Sequence, residues 1–143
     1  MNRRLFTQSL AIGAIAFAVP AAFAQQAPAK RNRIVVQMSD ADPQKWNLAL
    51  NNIRNLQEDV GASNVDIELV AYGPGIGMLK MDAPVAQRVA DAAKAGVKVL
   101  ACENTMRGQK LTKDDMNAAV GYVPAGVTEI MRKQGEGWAY LRP

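Results

Sequence analysis

The sequence contains no histidine and only one cysteine, Cys102. Without histidine, the chain can form neither a serine–histidine nor a cysteine–histidine catalytic pair, and histidine-ligated zinc is excluded as well. A single cysteine cannot form a disulfide within the chain, so an ordinary hydrophobic core must stabilise the fold. These absences leave the thiol of Cys102 as the side chain with the greatest reactive potential.

Strong positive charge and long apolar segments are also lacking. The formal net charge of +4 falls to +2 once Arg3 and Arg4 are set aside, and the remaining basic residues form no dense run. We therefore expect no nucleic-acid partner. The apolar run at residues 10–19 is too short to span a bilayer, so we expect no membrane anchor once this segment has been cleaved.

Residues 1–24 have the pattern of a cleaved signal peptide. A basic start with Arg3 and Arg4 precedes the apolar run, and the sequence A-F-A at residues 22–24 matches the small-x-small cleavage motif. We expect cleavage after Ala24, a flexible leader over residues 25–32 and a single domain over residues 33–143. A buried N-terminal helix is the alternative interpretation.

The export route stays open between two pathways. The run R-R-L-F at residues 3–6 fits the core of a twin-arginine signal, although Gln8 stands where a lysine is usual. A Sec signal explains the same composition. Either route predicts a periplasmic or otherwise exported mature protein.

The rest of the chain alternates short β-branched runs with amphipathic segments. The pattern predicts strands at residues 33–38, 65–72, 97–101, 120–123 and 138–141, with the main helices at residues 43–60, 83–95 and 127–134. Such alternation is typical of βαβ crossovers. We therefore expect a flavodoxin-like three-layer α/β sandwich with an open, mainly parallel sheet of about five strands.

Ligands of such sheets bind at the carboxyl ends of the strands, where the strand order reverses. If the order is the flavodoxin-like 2-1-3-4-5, the reversal lies between the first and third strands. Residues 38–40, 72–77 and 102–107 would then meet in one crevice.

Cys102 directly follows the third predicted strand. Backbone N–H groups of a turn or helix that starts there favour a thiolate. Arg107 would add positive charge and Glu103 would oppose it, while Asn104 and Thr105 can donate hydrogen bonds to a sulfur anion or a bound oxyanion. The alternative is that Cys102 is a small buried apolar residue of the core.

The glycine-rich run G-P-G-I-G at residues 73–77 is a second candidate. Gly73 and Gly75 could present N–H groups to an anion, with Tyr72 as a wall of the crevice. The run has neither the spacing of a dinucleotide-binding loop nor the lysine of a P-loop, so a tight connection between strand and helix is the alternative. Cys102 and Met106 would supply only two ligands, a thiolate and a thioether, to a cuprous ion. We therefore expect no metal and no cofactor.

Three segments resemble one known family. The runs A-C-E-N-T-M-R-G at residues 101–108, V-P-A-G-V at 123–127 and G-E-G-W-A-Y-L-R-P at 135–143 resemble DsrE/DsrF-like proteins, in their exported subgroup. The resemblance covers residues 33–143. It implies a flavodoxin-like fold, homo-oligomers such as trimers or hexamers, and a role in sulfur transfer.

In the sulfur-relay members of that family, a cysteine at the place of Cys102 carries sulfur as a persulfide, and an Arg-Gly pair follows as Arg107-Gly108 does here. Those members work in the cytoplasm with dedicated partners, whereas this chain carries a predicted export signal.

The leading hypothesis is thus a sulfur carrier or sulfurtransferase-like protein that accepts sulfane sulfur on Cys102 from a donor protein or a small sulfur species. A non-catalytic module that binds a small anion or a partner in the same crevice is the alternative, and a soft-metal or redox-sensing protein is a third.

Overall fold

The computed structural model describes residues 31–143. The predicted signal peptide of residues 1–24, and the predicted leader up to residue 30, lie outside the described residues. Within residues 31–143, none of the helices combines the length and the apolar character that crossing a bilayer requires.

Five strands form one sheet, and every neighbouring pair of strands is parallel. The strands are β1 (Asn32–Met38), β2 (Val65–Ala71), β3 (Lys98–Cys102), β4 (Gly121–Val123) and β5 (Ala139–Leu141). The α-helices are α1 (Pro43–Val60), α2 (Ala86–Lys94), α3 (Glu103–Gly108) and α4 (Gly126–Gly135), and short 3₁₀ helices span Ala62–Asn64, Gly73–Leu79 and Lys113–Asp115. The expected single-domain α/β fold with an open sheet of five strands is confirmed.

Local sequence explains the first crossover. The carboxylate of Asp42 accepts a hydrogen bond from the N–H of Gln44 at 2.8 Å, and Pro43 occupies the first turn of α1. Along α1 the buried residues Trp46, Leu50 and Ile53 recur every three or four positions, which places them on one face against the sheet.

The strand order is β4-β3-β2-β1-β5. The order 2-1-3-4-5 considered from the sequence is therefore wrong. From β1 to β4, each strand lies next to the strand before it in sequence, and the sheet grows in one direction. The connection through α4 then runs back across the sheet, because β5 pairs with β1 at the opposite edge. Because parallel crossovers are right-handed, this reversal puts α4 on the opposite face of the sheet from α1, α2 and α3.

The two faces of the sheet carry cores of different size. The face that packs α1 and α2 holds most of the buried apolar residues, whereas the α4 face holds a small cluster. That smaller cluster consists of Val35, Val70, Leu100, Val123 and Ile130, with Tyr72 and Trp138 packed against it. The α4 face also buries two charged residues, Glu68 and Lys133.

Candidate functional site

Cys102 is the last residue of β3 and the residue that precedes α3. It pairs with Val123 of β4, and the preceding Ala101 pairs with Ala71 of β2. The carboxyl ends of β2, β3 and β4 therefore surround the thiol. The cysteine is buried, with 4% of its surface exposed.

The N–H of Gly126 points at the sulfur. It donates to Sγ of Cys102 at a distance of 3.3 Å. Gly126 is the first residue of α4, and the first N–H groups of an α-helix have no partner within the helix. The sulfur therefore lies at the positive end of the dipole of α4, the helix that follows the neighbouring strand β4.

The hydroxyl of Thr105 is the second donor to the sulfur. The same hydroxyl oxygen accepts a hydrogen bond from the N–H of Gly73 at 2.9 Å. Because Gly73 occupies a lone pair of that oxygen, the hydroxyl proton is free to point at Cys102. Thr105 thus joins the glycine-rich segment after β2 to the thiol at the end of β3.

These donors decide the ionisation of the thiol. Burial acts to raise the pKa of Cys102, but the hydroxyl of Thr105 and the N–H groups of Gly126, Thr105 and Asn104 stabilise the thiolate more strongly. The pKa of Cys102 is accordingly lowered from its ordinary value of 9.0. The arrangement favours a thiolate in a water-poor setting, which is a nucleophile and a soft ligand.

Asn104 and Arg107 lie at the exposed rim of the site. The guanidinium of Arg107 donates to Oδ1 of Asn104, and the N–H of Asn104 donates to the carbonyl of Pro124 at 3.2 Å. Arg107 is not among the main groups that set the pKa of Cys102. Its positive charge lies in solvent at the last turn of α3, next to the side chain of Asn104.

The glycine-rich segment is a 3₁₀ helix, Gly73–Leu79, rather than a loop. The N–H of Gly75 donates to the carbonyl of Tyr72 at 3.1 Å, and the N–H of Gly73 is taken up by Thr105. A Cβ at Gly75 would lie 2.3 Å from the carbonyl oxygen of Met38, so only glycine fits against the end of β1. Gly73 therefore orients the site through Thr105, and Gly75 permits close backbone packing.

Tyr72 is half-buried and walls the site on the α4 face. A Cβ added at Gly126 would lie 3.1 Å from Cβ of Tyr72 and 3.2 Å from Cγ1 of Val70. Gly126 is thus the functional residue that reasoning from the sequence did not assign, although the run V-P-A-G-V was noticed. The signal available was a glycine that opens a helix directly after a short strand.

Residues 38–40 meet only the glycine-rich segment, where the N–H of Tyr72 donates to the carbonyl of Met38 at 3.1 Å, and they do not meet Cys102 as the sequence led us to expect. β1 and β3 are separated by β2, so the end of β1 meets β5 and β2 instead. The carboxylate of Asp40 pairs with Nζ of Lys45 at 3.3 Å and with the guanidinium of Arg142 at 3.7 Å. In the part of the chain that the structure describes, no group of three or more cysteine or acidic side chains is placed to hold a metal ion.

Comparisons with known proteins identify a family and several structures of similar fold. A sequence model of the DsrE/DsrF-like family matches residues 31–143. The chain is similar to a solved protein of unknown function, MTH1491 from Methanobacterium thermoautotrophicum, with 38% sequence identity and a TM-score of 0.75, over 78% of this chain and 99% of that one. A comparison with curated proteins gives no match.

Two further solved structures show the same fold at low sequence identity. BT1422 from Bacteroides thetaiotaomicron is 12% identical with a TM-score of 0.66, covering 78% of this chain and 95% of that one. The ychN protein from E. coli is 15% identical with a TM-score of 0.63, covering 80% of this chain and all of that one (100%). The family match and the similarity to MTH1491 together establish the relationship. The chain belongs to the DsrE/DsrF-like family.

Proposed function

We propose that the protein is a sulfur carrier or sulfurtransferase that holds sulfane sulfur as a persulfide on Cys102. The observation that carries this proposal is that two groups from different helices stabilise the thiolate of Cys102. They are the N–H of Gly126 in α4 and the hydroxyl of Thr105 in α3. Membership of a family implicated in sulfur relay supports it. A lowered thiol pKa supplies the thiolate that nucleophilic exchange requires.

The loading step needs no external oxidant. The thiolate of Cys102 attacks the outer sulfur of a sulfane donor such as thiosulfate, a bond forms between Sγ and that sulfur, and the S–S bond of thiosulfate breaks. Sulfite leaves with the electron pair, and the charge now lies on the terminal sulfur of the persulfide. In the unloading step an acceptor thiolate attacks this terminal sulfur, and the thiolate of Cys102 leaves.

The hydrogen-bond donors around Sγ favour both the loading and the unloading step. They stabilise the thiolate before loading and again when Cys102 becomes the leaving group during unloading, because a thiol of low pKa leaves faster. The rim formed by Asn104 and Arg107 offers a positive charge to an anionic donor that approaches from solvent.

Burial of the thiol narrows the class of donor. With only 4% of Cys102 exposed, a bulky thiol on a folded protein cannot reach Sγ without movement of the surrounding segments. A thin anion such as thiosulfate or a polysulfide chain needs a smaller opening. We therefore propose a small sulfane species as the donor.

Intact-mass spectrometry tests the carrier function. After incubation with polysulfide and removal of excess reagent, the wild type should gain about 32 Da, one sulfur atom, and dithiothreitol should remove it. Cys102→Ser has nearly the same shape and should gain nothing. A wild-type chain that gains no mass, or an equal gain in Cys102→Ser, would refute the proposal.

A second function, binding of a partner, is supported by an apolar surface beside the site. Val127 and Met131 lie four residues apart on α4, and 61% and 66% of their surfaces are exposed. We propose that this surface is covered in a homo-oligomer, a trimer or hexamer. In a purely binding protein, Cys102→Ser would assemble and bind ligands as the wild type does.

We also propose that the protein is exported by the twin-arginine or the Sec route, on the composition of residues 1–24. N-terminal sequencing of protein isolated from the producing cell tests this directly. Export with processing after Ala24 predicts a first residue of Gln25, and an intact Met1 in the cytoplasmic fraction would contradict it.

A further inference from the structure

Glu68 lies in the middle of β2, the central strand, and faces α4. Only 1% of its surface is exposed, and both of its carboxyl oxygens are shielded from solvent. A charged carboxylate in such a position costs free energy unless another group compensates it. The groups that compensate it are on α4.

Three charged residues of α4 surround the carboxyl group of Glu68. Nζ of Lys133 lies 3.4 Å from Oε2 of Glu68 and 3.8 Å from Oε1 of Glu129. The ammonium of Lys133 thus lies within 4 Å of both carboxyl groups at the contact between β2 and α4, and in the described part of the chain neither carboxyl oxygen of Glu68 has a hydrogen-bond partner. Arg132 pairs with Glu129 at 2.5 Å from the outer side.

The remaining charged groups near Glu68 lie further out. Asp66 of the same strand and Lys98 of β3 border the same cavity, which has a volume of about 280 Å³. Glu136 lies 3.9 Å from Nζ of Lys133, and the ammonium of Lys133 lies 4.4 Å from the centre of the Trp138 ring. The guanidinium of Arg33 in β1 lies 5.7 Å from the centre of the same ring and donates to the carbonyl of Glu136.

Two carboxyl groups this close cannot both be ionised without repulsion. Burial raises the pKa of Glu68 to about 7, the neighbouring Glu129 adds to this rise, and the charge of Lys133 opposes it. Burial acts to raise the pKa of Glu129 as well, but the neighbouring Glu68 and the guanidinium of Arg132 together lower it. Near neutral pH Glu68 is therefore close to the midpoint of its ionisation, and it is the member of the pair that binds a proton more readily.

The same helix carries the donor to Cys102. The buried residues of α4 are Gly126, Ile130 and Lys133, which form one stripe along the helix against the sheet. Gly126 contacts the sulfur at one end, and Lys133 contacts Glu68 at the other, about 10 Å away at 1.5 Å per residue. Between these two contacts, Ile130 packs into the small apolar cluster of this face.

We infer that Glu68 is a positioning residue for Cys102: its proton holds α4 against β2, and its ionisation repels Glu129, loosens α4 and weakens the contact from the N–H of Gly126 to the sulfur. The site thereby responds to pH in the neutral range through a group that never touches the thiol. The importance of this coupling for sulfur transfer rests on the proposed function, but the coupling itself can be measured without any sulfur donor.

The test is the rate of alkylation of Cys102 by iodoacetamide as a function of pH. The wild type should show two ionisations: the rate rises as the thiol ionises, and it falls in part above neutral pH as Glu68 loses its proton and the contact from Gly126 to the sulfur weakens. Glu68→Gln keeps a neutral hydrogen-bonding group and should show a single ionisation. At pH 8 it should react about fivefold faster than the wild type, the lower end of couplings between sites.

Two further variants make the test decisive. Glu129→Gln removes the repulsion from the other side, on a more accessible residue, and should give the same single ionisation even if Glu68→Gln does not fold. Glu58→Gln makes the same chemical change at an exposed pair on α1 and should retain the wild-type profile. Wild-type profiles in both Glu68→Gln and Glu129→Gln would overturn the inference. Loss of sulfur loading with the profiles as expected would refute only the carrier function.

Discussion

The N–H of Gly126 donates to Sγ of Cys102 across 24 residues of sequence, and this contact joins the start of α4 to the end of β3. It exists because β3 and β4 are neighbours in the sheet, so their carboxyl ends and the segments that follow them meet. The relationship makes the ionisation of one thiol depend on the position of a whole helix.

Replacement of Thr105 should reduce the reactivity of Cys102. Thr105→Val removes the hydroxyl that donates to the sulfur and leaves the N–H of Gly73 without its acceptor. We expect the pKa of Cys102 to rise and alkylation at pH 7 to slow roughly tenfold, the factor that corresponds to one hydrogen bond to a charged group. Thr105→Ser keeps the hydroxyl and should react almost as the wild type does. Equal rates for the valine and serine variants would contradict the assignment.

Substitution of Gly126 should affect both stability and the thiol. In Gly126→Ala the new methyl group meets Tyr72 and Val70 at 3.1–3.2 Å, so α4 must shift outward. We expect a loss of about 1–3 kcal/mol in the free energy of unfolding and a higher pKa of Cys102. Urea denaturation and thiolate absorbance near 240 nm measure the two effects. Gly135→Ala, in open space at the other end of α4, is the matched control and should change neither.

Arg107 should matter for anionic donors alone. The guanidinium lies at the exposed rim and is not a main determinant of the thiol pKa. We expect Arg107→Gln to slow loading from thiosulfate several-fold, and to leave alkylation by neutral iodoacetamide unchanged. The thiosulfate effect should shrink with added salt, because exposed charges are screened. A similar slowing with both reagents would mean that Arg107 acts on the sulfur itself.

Stability should depend on pH through Glu68. The folded chain raises the pKa of this carboxyl from 4.5 to about 7, so the fold favours its protonated form. The stabilisation is complete below the unfolded value of 4.5 and is lost as the pH rises through about 7. We expect the free energy of unfolding of the wild type, relative to that of Glu68→Gln, to fall between about pH 5 and pH 8. Urea denaturation at both pH values measures this, and a constant difference would contradict it.

Local signals account for what the sequence could predict. The Asp42-Pro43 start of α1, the periodic apolar residues along it and the β-branched runs of β1 and β2 are features of neighbouring residues, so the elements and the fold class could be predicted. Cys102 at the end of a strand was found in the same way.

The strand order and the partners of Cys102 depend on which face each helix covers, and no local pattern records that. Without the order, β1 was taken as a neighbour of the thiol, and Gly126 received no role. Glu68 belongs to an alternating run that is typical of a strand with a polar face. It is buried because β2 is central and α4 covers it, which are properties of the assembled sheet.

A single turnover with thiosulfate tests sulfur transfer to Cys102 most directly, when released sulfite and bound sulfur are counted on the same sample. If Cys102 accepts the outer sulfur, one sulfite should appear for each persulfide formed, up to one per chain. Peptide mass spectrometry should place the added sulfur on Cys102. Release of sulfite without a persulfide on Cys102, or the same release from Cys102→Ser, would contradict the account.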